Sequence, residues 1–155
     1  MERAEMTMNP KLLADASFVG GQWLSSDNTF TVTNPANGNV LANVADGDAA
    51  TAEQAVKAAK QALPAWRAKT ANERSSILRK WFDLMMEHQH DLGVIMTMEQ
   101  GKPLAEAKGE VGYGASFVEW FAEEGKRVYG DTIPTPSNDK RLMVIKQPVG
   151  VVAAV

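Results

Sequence analysis

The sequence contains no cysteine. Disulfides, thiolate metal ligands and a cysteine nucleophile are therefore excluded within these 155 residues. An excess of positive charge is also missing, because 16 lysines and arginines stand against 19 aspartates and glutamates, for a net charge of −3. Proteins that bind nucleic acid through phosphate contacts need a basic face. No nucleic-acid partner is therefore expected.

Long hydrophobic runs are missing as well. The sequence nowhere holds the roughly 18 to 20 consecutive apolar residues that a membrane-spanning helix needs. Residues 1–15 lack the apolar stretch and small-residue cleavage pattern of a secretory signal, and we expect them to form a flexible N-terminus. The expectation is a cytoplasmic protein with no membrane partner.

What is present is enough apolar material for one globular core, since hydrophobic residues make up 45% of the chain. Residues 17–45 are rich in valine, threonine and aromatics and are interrupted by turn-forming residues such as Asn37-Gly38. This pattern predicts a β segment of two or three short strands.

Helical spacing of apolar residues begins near Asp48. Thr51 with Gln54, and Thr70 with Glu73, resemble capping boxes that begin two helices. The proline at position 64 is expected to end or kink the first of these helices. A third helix is predicted from Asp91 to a glycine cap at position 101.

A fourth helix is predicted from Pro103 to Val128. It contains glycines at positions 109, 112 and 114, each of which would cost an exposed helix about 1 kcal/mol relative to alanine. We therefore expect a neighbouring element to pack very close to this helix. Its aromatic residues are expected to lie mostly in the core, as aromatic stripes at helical spacing usually do.

The last part of the chain returns to β character. A hairpin is predicted within residues 130–148, with its turn at Pro134 to Asn138. Val149–Val155 is an uninterrupted apolar run, which is typical of a strand covered on both faces in a parallel sheet. Taken together, the pattern predicts a helical cluster flanked by β segments and ending on a buried strand of the kind found in α/β proteins.

Motifs that carry chemistry are weak in this sequence. His88 and His90 are two residues apart, whereas a zinc protease helix needs histidines four apart on one face. The glycines of the fourth helix do not form the G-x-G-x-x-G pattern of a dinucleotide site. Glu119 and Glu123 lie four apart near Lys126 and Arg127, which favours a salt-bridged helix face over an acid and base pair.

Several motifs taken together resemble NAD(P)-dependent aldehyde dehydrogenases, in particular their succinate-semialdehyde dehydrogenase branch. The resemblance is carried by Thr33-Asn34-Pro35, by the Glu-x-Gly-Lys-Pro run at Glu99 to Pro103, and by Gln147 to Val151 before the last apolar run. It extends over nearly the whole chain and includes the stretch from Met98 to Pro134.

The resemblance implies that the chain is the N-terminal third of the aldehyde dehydrogenase fold. Residues 16–129 would form the leading β segment and the four-helix cluster of the cofactor-binding domain. Residues 130–148 would form the oligomerisation-arm hairpin. Residues 149–155 would form the first strand of the Rossmann-like nucleotide-binding sheet, and the chain would continue beyond them.

The chemistry implied by the resemblance is oxidation of a small aldehyde, succinate semialdehyde, to succinate with NADP or NAD. A cysteine thiolate and a glutamate-activated water would do this chemistry, and neither group maps onto a residue present here. No catalytic or cofactor-binding residue is therefore assigned. These 155 residues alone are expected to be inactive and to bind neither cofactor tightly, and the full-length enzyme is expected to be a homo-oligomer joined through its β segments.

Two pairs of candidate site residues follow from the same resemblance. Tyr113 and Phe117 would line the tunnel for the aldehyde, and Glu99 with Thr33 would contribute to a monovalent cation site. Structural packing is the alternative for all four. A second hypothesis for the whole chain is a non-catalytic interaction module that docks to related subunits through its β hairpins.

Overall fold

The structure is a computed structural model that describes residues 8–154. The first half of the predicted flexible N-terminus, residues 1–7, therefore lies outside the described residues. Next to it, Pro10–Leu12 form a short 3-10 turn that begins at Asn9, whose side chain accepts a hydrogen bond from the Lys11 backbone at 3.1 Å. The flexibility of residues 1–15 stays a prediction.

The described residues form three antiparallel strand pairs and four α-helices. The paired strands are β1 (Ser17–Val19) with β2 (Gln22–Leu24), β3 (Thr29–Thr33) with β4 (Val40–Ala45), and β5 (Asp131–Ile133) with β6 (Leu142–Val144). The helices are α1 (Ala49–Ala68), α2 (Ala71–Glu87), α3 (Gln89–Gln100) and α4 (Leu104–Glu124).

The leading β segment holds four strands, so the prediction of two or three is wrong in number. The cause is the pair Gly20-Gly21, where both residues have positive φ, 59° and 85°. Glycine adopts this conformation without steric cost, and the chain reverses there to pair β1 with β2. A third glycine with positive φ, Gly38, lies in the connection between β3 and β4.

Helix α1 begins near Asp48 as predicted, but its cap differs from the predicted Thr51 capping box. Its N-cap is Asp48, whose carboxylate accepts hydrogen bonds from the backbone N–H of Thr51 at 2.8 Å and from its hydroxyl at 2.9 Å. Thr51 is thus the donor inside the first turn, and the capping box predicted at Thr51 is wrong. The hydrogen bond from the Thr51 backbone is the main reason why the pKa of Asp48 is lowered.

Helix α1 also continues past its proline. Pro64 lies inside the helix, which ends only at Ala68. Of the two predicted outcomes, an end at Pro64 is therefore wrong, and a kink there stays a prediction. A proline removes one hydrogen bond, here to the carbonyl of Lys60. The alanine-rich sequence on both sides strongly favours the helix.

The predicted start of α2 and the predicted end of α3 are confirmed. Thr70 and Glu73 form the reciprocal capping box, with the Thr70 backbone donating to the Glu73 carboxylate at 2.7 Å. This hydrogen bond is the largest cause of the lowered pKa of Glu73. At the end of α3, Gly101 has φ 76° and donates its N–H to the carbonyl of Thr97 at 2.9 Å.

Helix α4 is shorter than predicted. Pro103 precedes it as the N-cap residue, and it ends at Glu124 rather than at Val128. There the backbone N–H of Gly125 donates to the carbonyl of Phe121 at 2.9 Å, and the chain leaves the helix.

The core lies where α2, α3 and α4 pack together. Its fully buried side chains are mostly small: Val94 on α3, and Ala107, Ala115 and Ala122 on α4. Small side chains let helix axes approach closely. Helix α1, by contrast, contains no buried residue.

The prediction that a neighbouring element packs very close to the glycines of α4 holds only at Gly112. An ideal Cβ on Gly112 would lie 3.2 Å from Gln89 Nε2, whereas one on Gly109 would meet nothing within 4 Å and one on Gly114 would only touch Met85 at 4.0 Å. Between two helices, the closest approach at a glycine is at Gly93 of α3, where an ideal Cβ would lie 2.8 Å from Lys108 Cγ of α4.

The hairpin predicted within residues 130–148 is confirmed as β5 and β6, and all six of its strand residues are exposed. The strand predicted at 149–155 is not observed in the described part of that segment. A strand requires a neighbour to hydrogen bond with, and Val149 and Val152 are instead 94% and 74% exposed. No helix within residues 8–154 is both long and apolar enough to cross a bilayer.

Candidate functional site

Four aromatic residues of α4 form an exposed row that we call the aromatic ridge: Tyr113, Phe117, Trp120 and Phe121. Their spacing of four, three and one residues places them on one side of the helix. Each is between 49% and 66% exposed. The expectation that these aromatics lie in the core is therefore wrong for this chain, whose α4 core face is built from alanine and valine instead.

The two candidate tunnel residues touch each other on this ridge. The rings of Tyr113 and Phe117 meet edge to face, with centroids 4.9 Å apart and an interplanar angle of 83°, the arrangement that aromatic pairs prefer. Phe117, Trp120 and Phe121 border an open concavity of about 710 Å³, and Tyr113 lies outside its lining. Only one of the two candidates therefore borders the concavity.

Charged groups around this concavity are largely paired. Glu119 binds Arg79 of α2 at 2.8 Å, and Glu123 binds Lys126 at 2.8 Å. The hydrogen bond from Lys126 lowers the pKa of Glu123. The predicted salt-bridged helix face is thus confirmed, and the pairing favours the charged form of Glu123 rather than a proton donor.

The two candidate cation residues belong to segments that meet in the fold. Thr33 ends β3, and the turn after it places Pro35 Cγ 3.1 Å from an ideal Cβ on Gly101, at the end of α3. Glu99 is exposed in the last turn of α3. Within residues 8–154, no cluster of three or more histidine, aspartate or glutamate side chains could hold a metal ion. The structure brings the two segments together without forming a complete ligand set from carboxylates and imidazoles.

A second concavity was not predicted from any sequence pattern. It has a volume of about 530 Å³ and lies between the end of α1, the start of α2 and the segment 145–148. We call it the basic pocket, and its lining includes Trp66, Arg67, Arg74, Val128, Lys146 and Pro148. The adjacent Trp66-Arg67 pair is visible in the sequence, but Lys146 arrives from a distant part of the chain and could not have been placed beside it.

Comparisons with known proteins agree on one family. Residues 23–155 match the family model described as the aldehyde dehydrogenase family. The chain is 60% identical over 146 residues to the NADP-dependent succinate-semialdehyde dehydrogenase GabD of Escherichia coli, covering 93% of this chain and 30% of that protein. It is 58% identical over 147 residues to a glutarate-semialdehyde dehydrogenase of Pseudomonas putida, covering 94% of this chain and 31% of that protein.

A solved structure gives the same result for the fold. The crystal structure of succinate-semialdehyde dehydrogenase from Burkholderia pseudomallei superposes with a TM-score of 0.90 at 53% identity, covering 93% of this chain and 30% of that chain. The predicted α/β architecture, as part of this larger fold, is therefore confirmed. The chain spans about 30% of the length of the relatives that it matches.

Proposed function

Because this chain belongs to the aldehyde dehydrogenase family, we propose that it is the N-terminal part of an enzyme that oxidises succinate semialdehyde or a close analogue to the carboxylic acid. The observation that carries this proposal is the 60% identity to a succinate-semialdehyde dehydrogenase over nearly the whole chain. A relative of almost equal identity is named for glutarate semialdehyde. Both aldehydes carry a carboxylate at the far end, so the proposed substrate class is a short aldehyde with a terminal carboxylate.

In the proposed reaction, the aldehyde carbon gives a hydride to NADP or NAD, and water supplies the second oxygen of the acid. A covalent thioester route needs a cysteine, and this chain has none. We therefore assign to these residues the role of a scaffold that helps to form the cofactor domain, while the reactive groups belong to the rest of the enzyme. A cytoplasmic location is part of the proposal.

Tyr113 and Phe117 are proposed to border the path of the aldehyde. Supporting this, their rings are exposed and fixed against each other on one face of α4. A rigid apolar wall of this kind suits the short carbon chain of the substrate, because ligand pockets are lined mainly by apolar and aromatic groups.

Glu99 and Thr33 are proposed to contribute to a monovalent cation site. This proposal is supported by the close approach between the turn after β3 and the end of α3, which places the segments that carry Thr33 and Glu99 next to each other. The negative end of the α3 dipole, where Glu99 lies, also favours a cation.

The β5 and β6 hairpin is proposed to join copies of the enzyme. All of its strand residues are exposed, including Ile133, Leu142 and Met143, and an exposed apolar strand pair readily adds a further strand at its edge. The same surface also favours the alternative function, a module that docks to related subunits without taking part in catalysis.

A chimera separates the two functions. In the chimera, this chain replaces the matching N-terminal segment of the E. coli relative and is joined to the rest of that protein. Succinate semialdehyde is the substrate, and the reduction of NADP is followed by the absorbance of the nicotinamide. We expect the chimera to be active and the 155-residue chain alone to be inactive, with the E. coli enzyme as the positive control. Activity of the chain alone, or a folded but inactive chimera, would contradict the proposal, and the second result would favour the docking module.

A further inference from the structure

The basic pocket brings together positive charge from three separate elements. Arg67 lies in the last turn of α1, Arg74 in the first turns of α2, and Lys146 in the segment after β6. In a chain of net charge −3, three cations around one concavity form a local field that favours an anionic ligand.

These cations are not neutralised by carboxylates. Within residues 8–154, Arg67, Arg74 and Lys146 form no ion pair within 4.0 Å. Arg74 donates one N–H to the carbonyl of Lys69, which fixes its guanidinium and leaves its other donors available. The nearest carboxylate in sequence, Glu73, is held by the capping box of α2.

The pocket also has an apolar wall. Trp66, which is 38% exposed, lines it together with Leu63 and Val128. An indole face offers a stacking surface for a flat ring, and arginine presents a fork of donors that matches phosphate oxygens. A volume of about 530 Å³ falls within the range of small-molecule sites, roughly 300 to 1,000 Å³.

We propose that the basic pocket binds a nucleoside diphosphate. The phosphates lie against Arg67, Arg74 and Lys146, and the base stacks on Trp66. A simple inorganic anion would use only the charges, and a neutral nucleoside would use only the indole. The combination of three cations with an aromatic wall is therefore what selects the nucleotide class.

The test uses the 155-residue chain and ADP as the probe, with binding measured by isothermal titration calorimetry. We expect one saturable site with a Kd below about 1 mM, weakened by added salt because surface charges are screened. Arg67→Gln and Lys146→Gln should each weaken binding about three- to tenfold. Trp66→Leu should weaken ADP and leave inorganic pyrophosphate unchanged.

The control is Lys57→Gln, which removes the same charge from α1 at a position outside the lining of this pocket. It should bind ADP like the parent chain. An equal loss in Lys57→Gln and Arg67→Gln would overturn the proposal, because binding would then follow net charge alone. The proposal would also be overturned if ADP showed no saturable binding, or if pyrophosphate or adenosine bound with the same affinity as ADP.

The measurement is of binding and involves no aldehyde. Failure of the ADP titration would leave the proposed dehydrogenase function untouched, and an inactive chimera would leave the pocket untouched. A folded state of each variant is checked by its far-UV circular dichroism.

Discussion

Replacing Gly93 and Gly109 by alanine, one at a time, makes the sharpest test of how α3 and α4 pack. Both glycines lie inside helices, where alanine is favoured by about 1 kcal/mol because it restricts the unfolded chain and shields the backbone. The two substitutions therefore share the same local gain. They differ only in what the added methyl group meets.

At Gly109 the added Cβ meets nothing within 4 Å, so the free energy of unfolding should rise by about 1 kcal/mol. At Gly93 it would lie 2.8 Å from Lys108 Cγ and 3.3 Å from the Lys108 backbone nitrogen. The side chain can move, but the backbone nitrogen belongs to α4 and moves only with that helix. Such overpacking costs about 1 to 3 kcal/mol, which leaves a net loss of about 1 kcal/mol after the local gain.

The assay is urea unfolding followed by far-UV circular dichroism, since α-helices dominate the signal. The two variants should differ by about 2 kcal/mol, with Gly109→Ala above the parent chain and Gly93→Ala below it. If both variants were stabilised alike, α3 and α4 would not approach as closely as described. Destabilisation by Gly109→Ala would show that this face of α4 is covered by another element.

Two further predictions concern charge. Capping hydrogen bonds lower the pKa values of Asp48 and Glu73, so the stability that these carboxylates contribute is complete above their ordinary pKa values near 4 and is lost as the pH falls through the lowered ones. When the helix signal is followed in an acid titration, Asp48→Asn and Glu73→Gln should each lack this loss of stability. An acid profile identical to that of the parent chain would refute the assignment. The ion pair between Arg79 and Glu119 joins α2 to α4 at 2.8 Å, and both side chains are more than 40% exposed. A double-mutant cycle with Arg79→Gln and Glu119→Gln should therefore give a coupling free energy of less than about 1 kcal/mol that decreases as salt is added. A larger coupling that does not change with salt would contradict a solvent-exposed pair.

The helix caps that depend on only a few neighbouring residues could be predicted from the sequence. The capping box at Thr70 and the αL cap at Gly101 were predicted because each depends on hydrogen bonds within one turn. The helical spacing that begins near Asp48 predicted the start of α1. Its cap could not be chosen from the sequence, since Asp48 and Thr51 are both good N-caps and only the observed hydrogen bond between them selects Asp48. Pro64 does not end α1 because the alanine-rich helix around it outweighs one unfavourable residue.

The candidate site depended more on tertiary structure. The spacing of the aromatic ridge was visible in the sequence, but its exposure was not, because the sequence does not say which face of α4 meets α2 and α3. Alanine and valine fill that face here and leave the aromatics outside. The basic pocket likewise needed the fold, since Lys146 joins Arg67 and Arg74 from a different element.

The sequence by itself determined the four helices, the β5 and β6 hairpin, the absence of a cysteine nucleophile and the family resemblance, because each follows from residue identity and short-range spacing. Only the tertiary structure decided how closely Gly93 approaches α4, which aromatic rings face solvent, and whether residues 149–154 pair as a strand. The physical reason is that close approach, burial and strand pairing are relations between segments distant in the chain. Their free energies depend on which neighbours are present rather than on local propensity.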